Sequence, residues 1–281
     1  MVSCMIAVLV RDRFPLTKLC CDWICDSDDC EGIYFNLVAF DDRSTDPLMF
    51  RYLEERFQGN VVPVSTDDRM SAPARVGMAR QTVVKLFLSG AGCDYLFLLD
   101  SDVIVTKATI NEAIRDYNLL AEKMPVGGYT LYALNHIEKT HPWNSNKIFA
   151  EISLTGDAHL LYRRDHLEEV GNHFSVRPGG FADQQIHAIY DHGLKFWTRI
   201  TPPYEVQHLG FGEGVSFCWD WDGIAPFWVR RPYWSHTGTK GVINVTGFDV
   251  LQYADLVNRY GGLEAPKLYL EMMKEKTNEC S

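Results

Sequence analysis

Tyr95-Leu96-Phe97-Leu98-Leu99-Asp100-Ser101-Asp102 is an apolar run that stops abruptly on two carboxylates. It follows Gly90 and Gly92, which end a helical pattern over Pro73 to Leu88, and is itself too short for a helix, so it predicts a buried strand. Acidic residues at the carboxyl end of such a strand lie where open α/β sheets bind ligands. Upstream, the chain alternates in the same manner. Met5 to Val10, Tyr34 to Phe40 and Val61 to Val64 read as strands, and Leu16 to Cys25 and Pro47 to Phe57 as helices. That alternation predicts an α/β fold with crossover helices. Downstream, Thr106 to Lys123, Arg164 to Val170 and Asp183 to His192 read as helices and Thr155 to Tyr162 as a strand. Residues 125 to 150 and Pro202 to Gly247 read as loop-rich, the latter lying over a cleft, and Leu263 to Lys276 as an amphipathic helix.

The 281 residues are enough for a substantial core, with 46% hydrophobic content and no internal repeat or linker that would separate independent domains. A formal charge of −10 disfavours general nucleic-acid and anionic-membrane binding, because phosphate surfaces need clustered cations. No stretch offers ~18 uninterrupted apolar residues, so no transmembrane segment is expected. Of eight cysteines, four crowd at Cys20, Cys21, Cys25 and Cys30 without the paired C-x-x-C of a zinc site. Reduced thiols and a cytoplasmic location follow as expectations. Nothing in the sequence sets the oligomeric state.

Asp100 and Asp102 can offer oxygen ligands to one hard divalent cation, although D-x-D also serves as a solvated turn or helix cap. This pair is one of four landmarks that stand in order in the first half, and two further segments follow in the second. Phe40-Asp41-Asp42-Arg43-Ser44-Thr45-Asp46 resembles the D-D-G-S-T-D segment after the second strand of GT-A nucleotide-sugar glycosyltransferases, in particular family 2 and related inverting groups. Ala79-Arg80-Gln81 is similar to their A-R-N, and Val10-Arg11-Asp12 to the V-R-N or L-R-D that ends their first strand. Thr155 to Arg164 with Leu167-Glu168-Glu169-Val170-Gly171 resembles their acceptor loop and following helix, and Gly179-Gly180-Phe181-Ala182-Asp183 their G-G-x-E-D. The departures are Arg43 for Gly, Gln81 for Asn and Ala182 for Glu.

The resemblance implies a GT-A fold: a Rossmann-like, mixed, mainly parallel sheet flanked by helices, with a nucleotide-sugar-binding half over 1–105 and a loop-rich, acceptor-binding and catalytic half over 106–281. It implies a UDP-sugar donor, with xylose, glucose, galactose and N-acetyl forms left open, and a carbohydrate or glycan acceptor. Asp183 is implied as the catalytic base, against a simple helix cap. Arg11, Asp41, Asp42, Arg80, Asp100 and Ser101 are the candidate nucleotide contacts, and Asp100, Asp102 and His208 the candidate metal ligands. His236 competes with His208, which lies closer to the usual separation from the base. An imidazole ligand favours Mn²⁺ over Mg²⁺. Phe217 to Asp222 and Pro226 to Trp234 hold four of the seven tryptophans, as a stacking platform for sugars or as packing for loops. A sugar-phosphate nucleotidyltransferase is the enzymatic rival, although Arg11 to Lys18 has no glycine for a phosphate loop. A non-catalytic carbohydrate-binding protein is the other.

Overall fold

Val2–Val10 (β1) and Tyr95–Asp100 (β4) run side by side within a nine-stranded sheet. In this computed structural model the described residues are all except 13, 67–71, 91, 132–136, 141–147, 153–158, 175–182, 200–203, 205, 209–213, 220–225, 229–240, 247–251, 253–254, 257–258, 261–267, 270 and 273–281. The side chains of β1 and β4 alternate between two cores. Cys4, Ile6, Val8, Val10, Tyr95, Phe97 and Leu99 belong to one, and Met5, Ala7, Leu96 and Leu98 to the other. Strands covered on both faces need apolar residues at every position, which is why they read as unbroken runs.

The first core is closed by Phe14–Asp26 (α1), Pro47–Arg56 (α2) and Lys107–Ala121 (α4). The second is closed by Ala72–Ser89 (α3), Arg164–Val170 (α5) and Asp183–Asp191 (α6). Asp46 caps α2, its Oδ1 accepting from the Leu48 amide at 2.9 Å, and Thr106 caps α4. The remaining strands of the sheet are Ile33–Asp41 (β2), Val61–Pro63 (β3), Val126–Thr130 (β6), Ile137–Thr140 (β7), Phe149–Ile152 (β8), His159–Arg163 (β9) and Lys195–Arg199 (β10). Their order is β3-β2-β1-β4-β9-β6-β10-β8-β7. Only β8 and β9 run against the others, so the sheet is mixed and mainly parallel, as expected.

Two expectations are corrected. Residues 125 to 150 contain β6, β7 and the start of β8, where the sequence reads as loop. The Gly127-Gly128 pair misleads because it marks crowding: a Cβ on Gly128 would lie 2.2 Å from the Phe196 ring, and one on Gly127 2.5 Å from Ile189. Residues 202 to 247 likewise contain strands: Gln207–His208 (β11), Gly214–Trp219 (β12), Pro226–Trp228 (β13) and Gly241–Thr246 (β14). The last three form an antiparallel sheet in the order β13-β12-β14. The expected C-terminal helix is described only at Leu268, Tyr269, Glu271 and Met272, which are helical.

Candidate active site

The carboxyl ends of β1, β2 and β4 open into a cleft of about 300 Å³. Arg11, Asp12, Asp42, Arg75, Asp100 and Ser101 give it its polar groups, and Leu9, Val10, Phe40, Val76 and Ala79 its apolar wall. The volume is at the lower end of the range for small-molecule sites. Beside it, Arg11, Asp41, Arg43, Ser44, Thr45, Phe50 and Pro63 line a second hollow, so Arg11 stands between the two.

The loops around the cleft are fixed by local chemistry. Asp12 takes a left-handed backbone, φ 47°, and its Oδ1 accepts from the Thr45 amide at 2.6 Å and the Asp46 amide at 3.3 Å. Its own amide donates to Ser44 Oγ at 2.8 Å. Asp12 thereby staples the end of β1 to the loop after β2. Arg43 also lies in the left-handed region, φ 56°. That backbone explains why the resembling motif carries Gly there, since a side chain costs roughly 1 kcal/mol in this region. Arg43 Nη1 donates to the Thr66 carbonyl at 2.9 Å, an anchor that glycine would lack.

The nucleotide candidates divide by exposure. Arg11 Nη1 pairs with Asp42 Oδ2 at 2.8 Å, and Asp42 Oδ1 accepts from the Thr66 hydroxyl. Asp41 faces the second hollow and accepts from the Ser44 amide at 3.2 Å. Arg80 is fully buried, and its Nη2 lies 3.3 Å from Asp100 Oδ1, so it meets the cleft through that carboxylate. Asp100 is partly exposed to the cleft, whereas Asp102 is fully buried just behind it. The Gln81 side chain, in place of the motif's Asn, donates to the Phe174 carbonyl, and the Gln81 backbone carbonyl accepts from Asn172 Nδ2 at 2.9 Å, tying α3 to the segment after α5.

His208 is placed by the backbone alone. β11 pairs antiparallel with Val103–Ile104 (β5), with His208 opposite Val103, the residue that follows Asp102. Asp183 is the first residue of α6. His236, residues 155–158 of the acceptor loop and Gly179 to Ala182 lie outside the described residues. Among the described residues no three His, Cys, Asp or Glu side chains cluster as a metal site. Phe217 stands opposite Trp228 and Trp219 opposite Pro226 in the small sheet, whose β13 lies against β11.

Arg75 was missed by sequence reasoning. It lines the cleft from the first turns of α3, and its Nε is buried without a hydrogen-bond partner among the described residues. The signal was its spacing: Arg75, Val76 and Ala79 share the helix face turned to the strand ends.

No protein-family model and no curated protein matches the chain. Solved structures with a similar backbone are GT-A glycosyltransferases. Staphylococcus aureus TarS, residues 1–349, is 16% identical with a TM-score of 0.49, over 73% of this chain and 59% of that one. The mannosyltransferase PcManGT from Pyrobaculum calidifontis, in complex with GDP-Man and Mn²⁺, is 20% identical with a TM-score of 0.47, over 71% and 54%. GalNAc-T7 with UDP, GalNAc and Mn²⁺ is 10% identical with a TM-score of 0.47, over 71% and 42%. The chain therefore spans less than two thirds of the length of these proteins. Likeness at this level carries no argument about activity. Among the described residues no helix is long and apolar enough to cross a membrane.

Proposed function

We propose that the chain is a metal-dependent, inverting glycosyltransferase that moves a sugar from a UDP-sugar to a glycan acceptor hydroxyl. One observation carries this reading: the partly exposed Asp100, Ser101, the Arg11–Asp42 pair and Arg75, whose buried Nε has no hydrogen-bond partner among the described residues, converge in one cleft at the strand ends. A sugar-phosphate nucleotidyltransferase is less well supported, because β1 and α1 are separated only by residues 11–13, too little chain to wrap phosphates.

The chemistry of these residue types suits a divalent cation: Asp100 and Asp102 would supply hard oxygens, and His208, whose backbone lies in register beside Val103, would supply a nitrogen that suits Mn²⁺. Bound there, the cation would neutralise the diphosphate and the leaving UDP. Arg75 has donors to spare for a phosphate oxygen, whereas Arg11 is engaged by Asp42. Asp41 or Asp42 would accept from uracil N3. Arg80 would orient Asp100 from beneath. Asp183 would take the proton of the acceptor hydroxyl from the start of α6, and the aromatic residues of β12 and β13 would receive the acceptor. Residues 1–105 then serve mainly the donor and 106–281 the acceptor. Free thiols at Cys4, Cys21, Cys25, Cys30 and Cys93 support a reducing, cytoplasmic setting.

The test is Asp183→Asn. UDP-sugar and Mn²⁺ affinity should stay nearly intact while transfer falls by ~10²-fold or more. The wild-type product of an α-linked donor should be β-linked by NMR. An α-linked product, or ordinary turnover in the variant, would make the enzyme a retaining one and Asp183 a helix-terminal residue only.

A further inference from the structure

Among the described residues β11 is two residues long and its ladder has one partner, β5. So short a pairing is marginal on its own and cannot fix where His208 stands relative to Asp102. The chain leading into it is held by something stronger. Tyr204, four residues earlier, is buried, and its hydroxyl bonds to Tyr129 Oη at 2.8 Å and donates to the carboxylate of Asp116. Arg199 Nε donates to the same Asp116 Oδ2 at 2.7 Å, and its guanidinium lies 4.6 Å from the Tyr204 ring centroid. Asp116 is itself buried on α4, Tyr129 on β6, and Arg199 ends β10. The network thus ties Arg199, at the end of β10, and Tyr204 to α4 and the main sheet. Val206, buried and next to the first residue of β11, donates its amide to the Tyr204 carbonyl at 3.0 Å.

We propose that Asp116, Tyr129, Arg199 and Tyr204 form an anchor that sets the position of β11, and that Tyr204 and Asp116 are positioning residues for His208 as a metal ligand. The inference rests on the metal reading above. A buried carboxylate shared by a guanidinium and a phenol is expensive to desolvate, and a core of this size could be closed by apolar residues at that point. What the polar network adds is a fixed direction for the strand that leaves it.

The test combines hydrogen exchange with a double-mutant cycle. Tyr204→Phe keeps the ring and removes the hydroxyl. It should raise amide exchange at Val206, Gln207 and His208 at least several-fold, and weaken Mn²⁺ binding, read by electron paramagnetic resonance, by roughly tenfold, or about 1.4 kcal/mol. Asp116→Asn should act in the same direction. In a His208→Ala background Tyr204→Phe should have no further effect on Mn²⁺. Unchanged exchange over 206–208 would overturn the anchor. An equal loss of Mn²⁺ affinity with and without His208 would overturn its action through that residue. Absence of Mn²⁺ binding in the wild type would defeat the metal reading, and with it the role toward His208, while the exchange data would still decide whether the anchor exists.

Discussion

The two ends of the central strands each carry a hollow rich in charge, and only one of them has the makings of a site. At the amino end, Val2, Asp94, Tyr95, Arg163, Arg164, Asp165 and Glu168 surround about 440 Å³, more than the cleft at the carboxyl end. Yet its cations are consumed by the fold. Arg164 donates to the carbonyls of Phe87 and Cys93, each at 2.8 Å, closing the end of α3, and stacks on Phe87. Arg163 grips Asp165 through Nε and Nη2 at 2.6 and 2.7 Å. At the carboxyl end, Arg75 keeps a buried Nε unbonded among the described residues, and Asp100 is open to the cleft. Charge in a hollow does not mark a site. Unspent hydrogen-bonding capacity does.

The contrast can be broken at several points. The largest effect is expected at Asp102→Ala, which should abolish metal-dependent UDP binding and lower transfer by roughly 10³-fold, several kcal/mol of transition-state stabilisation. Calorimetry with UDP and Mn²⁺, alongside a circular-dichroism check of folding, measures both. A variant that binds UDP normally in Mn²⁺ would remove Asp102 from the ligand set.

The matched pair Arg75→Ala and Arg164→Ala tests the comparison itself. Arg75→Ala should weaken UDP about tenfold with no loss of thermal stability, since it removes a buried Nε donor that has no partner among the described residues. Arg164→Ala should leave UDP affinity unchanged and cost about 2 kcal/mol of stability through orphaned carbonyls. If the two effects were exchanged, the assignment of the hollows would be reversed.

The smallest effect concerns His166, beside the amino-end hollow. Arg163 Nη2 can only donate to His166 Nε2, at 2.8 Å, so the ring is neutral, with Tyr117 Oη 2.7 Å from Nδ1. Burial first, and then the Arg163 charge, hold its pKa below the ordinary histidine value. The unfolded chain therefore binds a proton more readily, and stability falls as pH drops below about 6.5 toward the depressed folded value. The melting temperature should decline between about pH 7.5 and about pH 5.5, and less steeply in His166→Gln. Equal slopes would show that His166 carries none of it.

The elements of residues 1–105 were readable because doubly buried strands write unbroken apolar runs and because the glycines after Leu88 end a helix, whereas the cap of α2, Asp46, was not singled out. β6 and β10 were not readable. The glycines of β6 and the short, polar-flanked β10 encode close packing between Gly128 and Phe196, a tertiary fact with no local period. In the site, motifs pointed to Asp42, Asp100 and Arg11. Arg75 left only the weak signal of its spacing with Val76 and Ala79; that its Nε lacks a partner among the described residues is a tertiary fact a linear sequence does not express. The roles of Asp12 and Arg43 are legible only once their positive φ is known.

The central claim is that the carboxyl-end cleft takes a nucleotide diphosphate together with a divalent cation. Calorimetric titration of the wild-type chain with UDP, in Mn²⁺ and again in excess EDTA, tests it directly. UDP should bind in Mn²⁺ and far more weakly in chelator. Equal affinity in the two buffers, or no binding in either, would contradict the account.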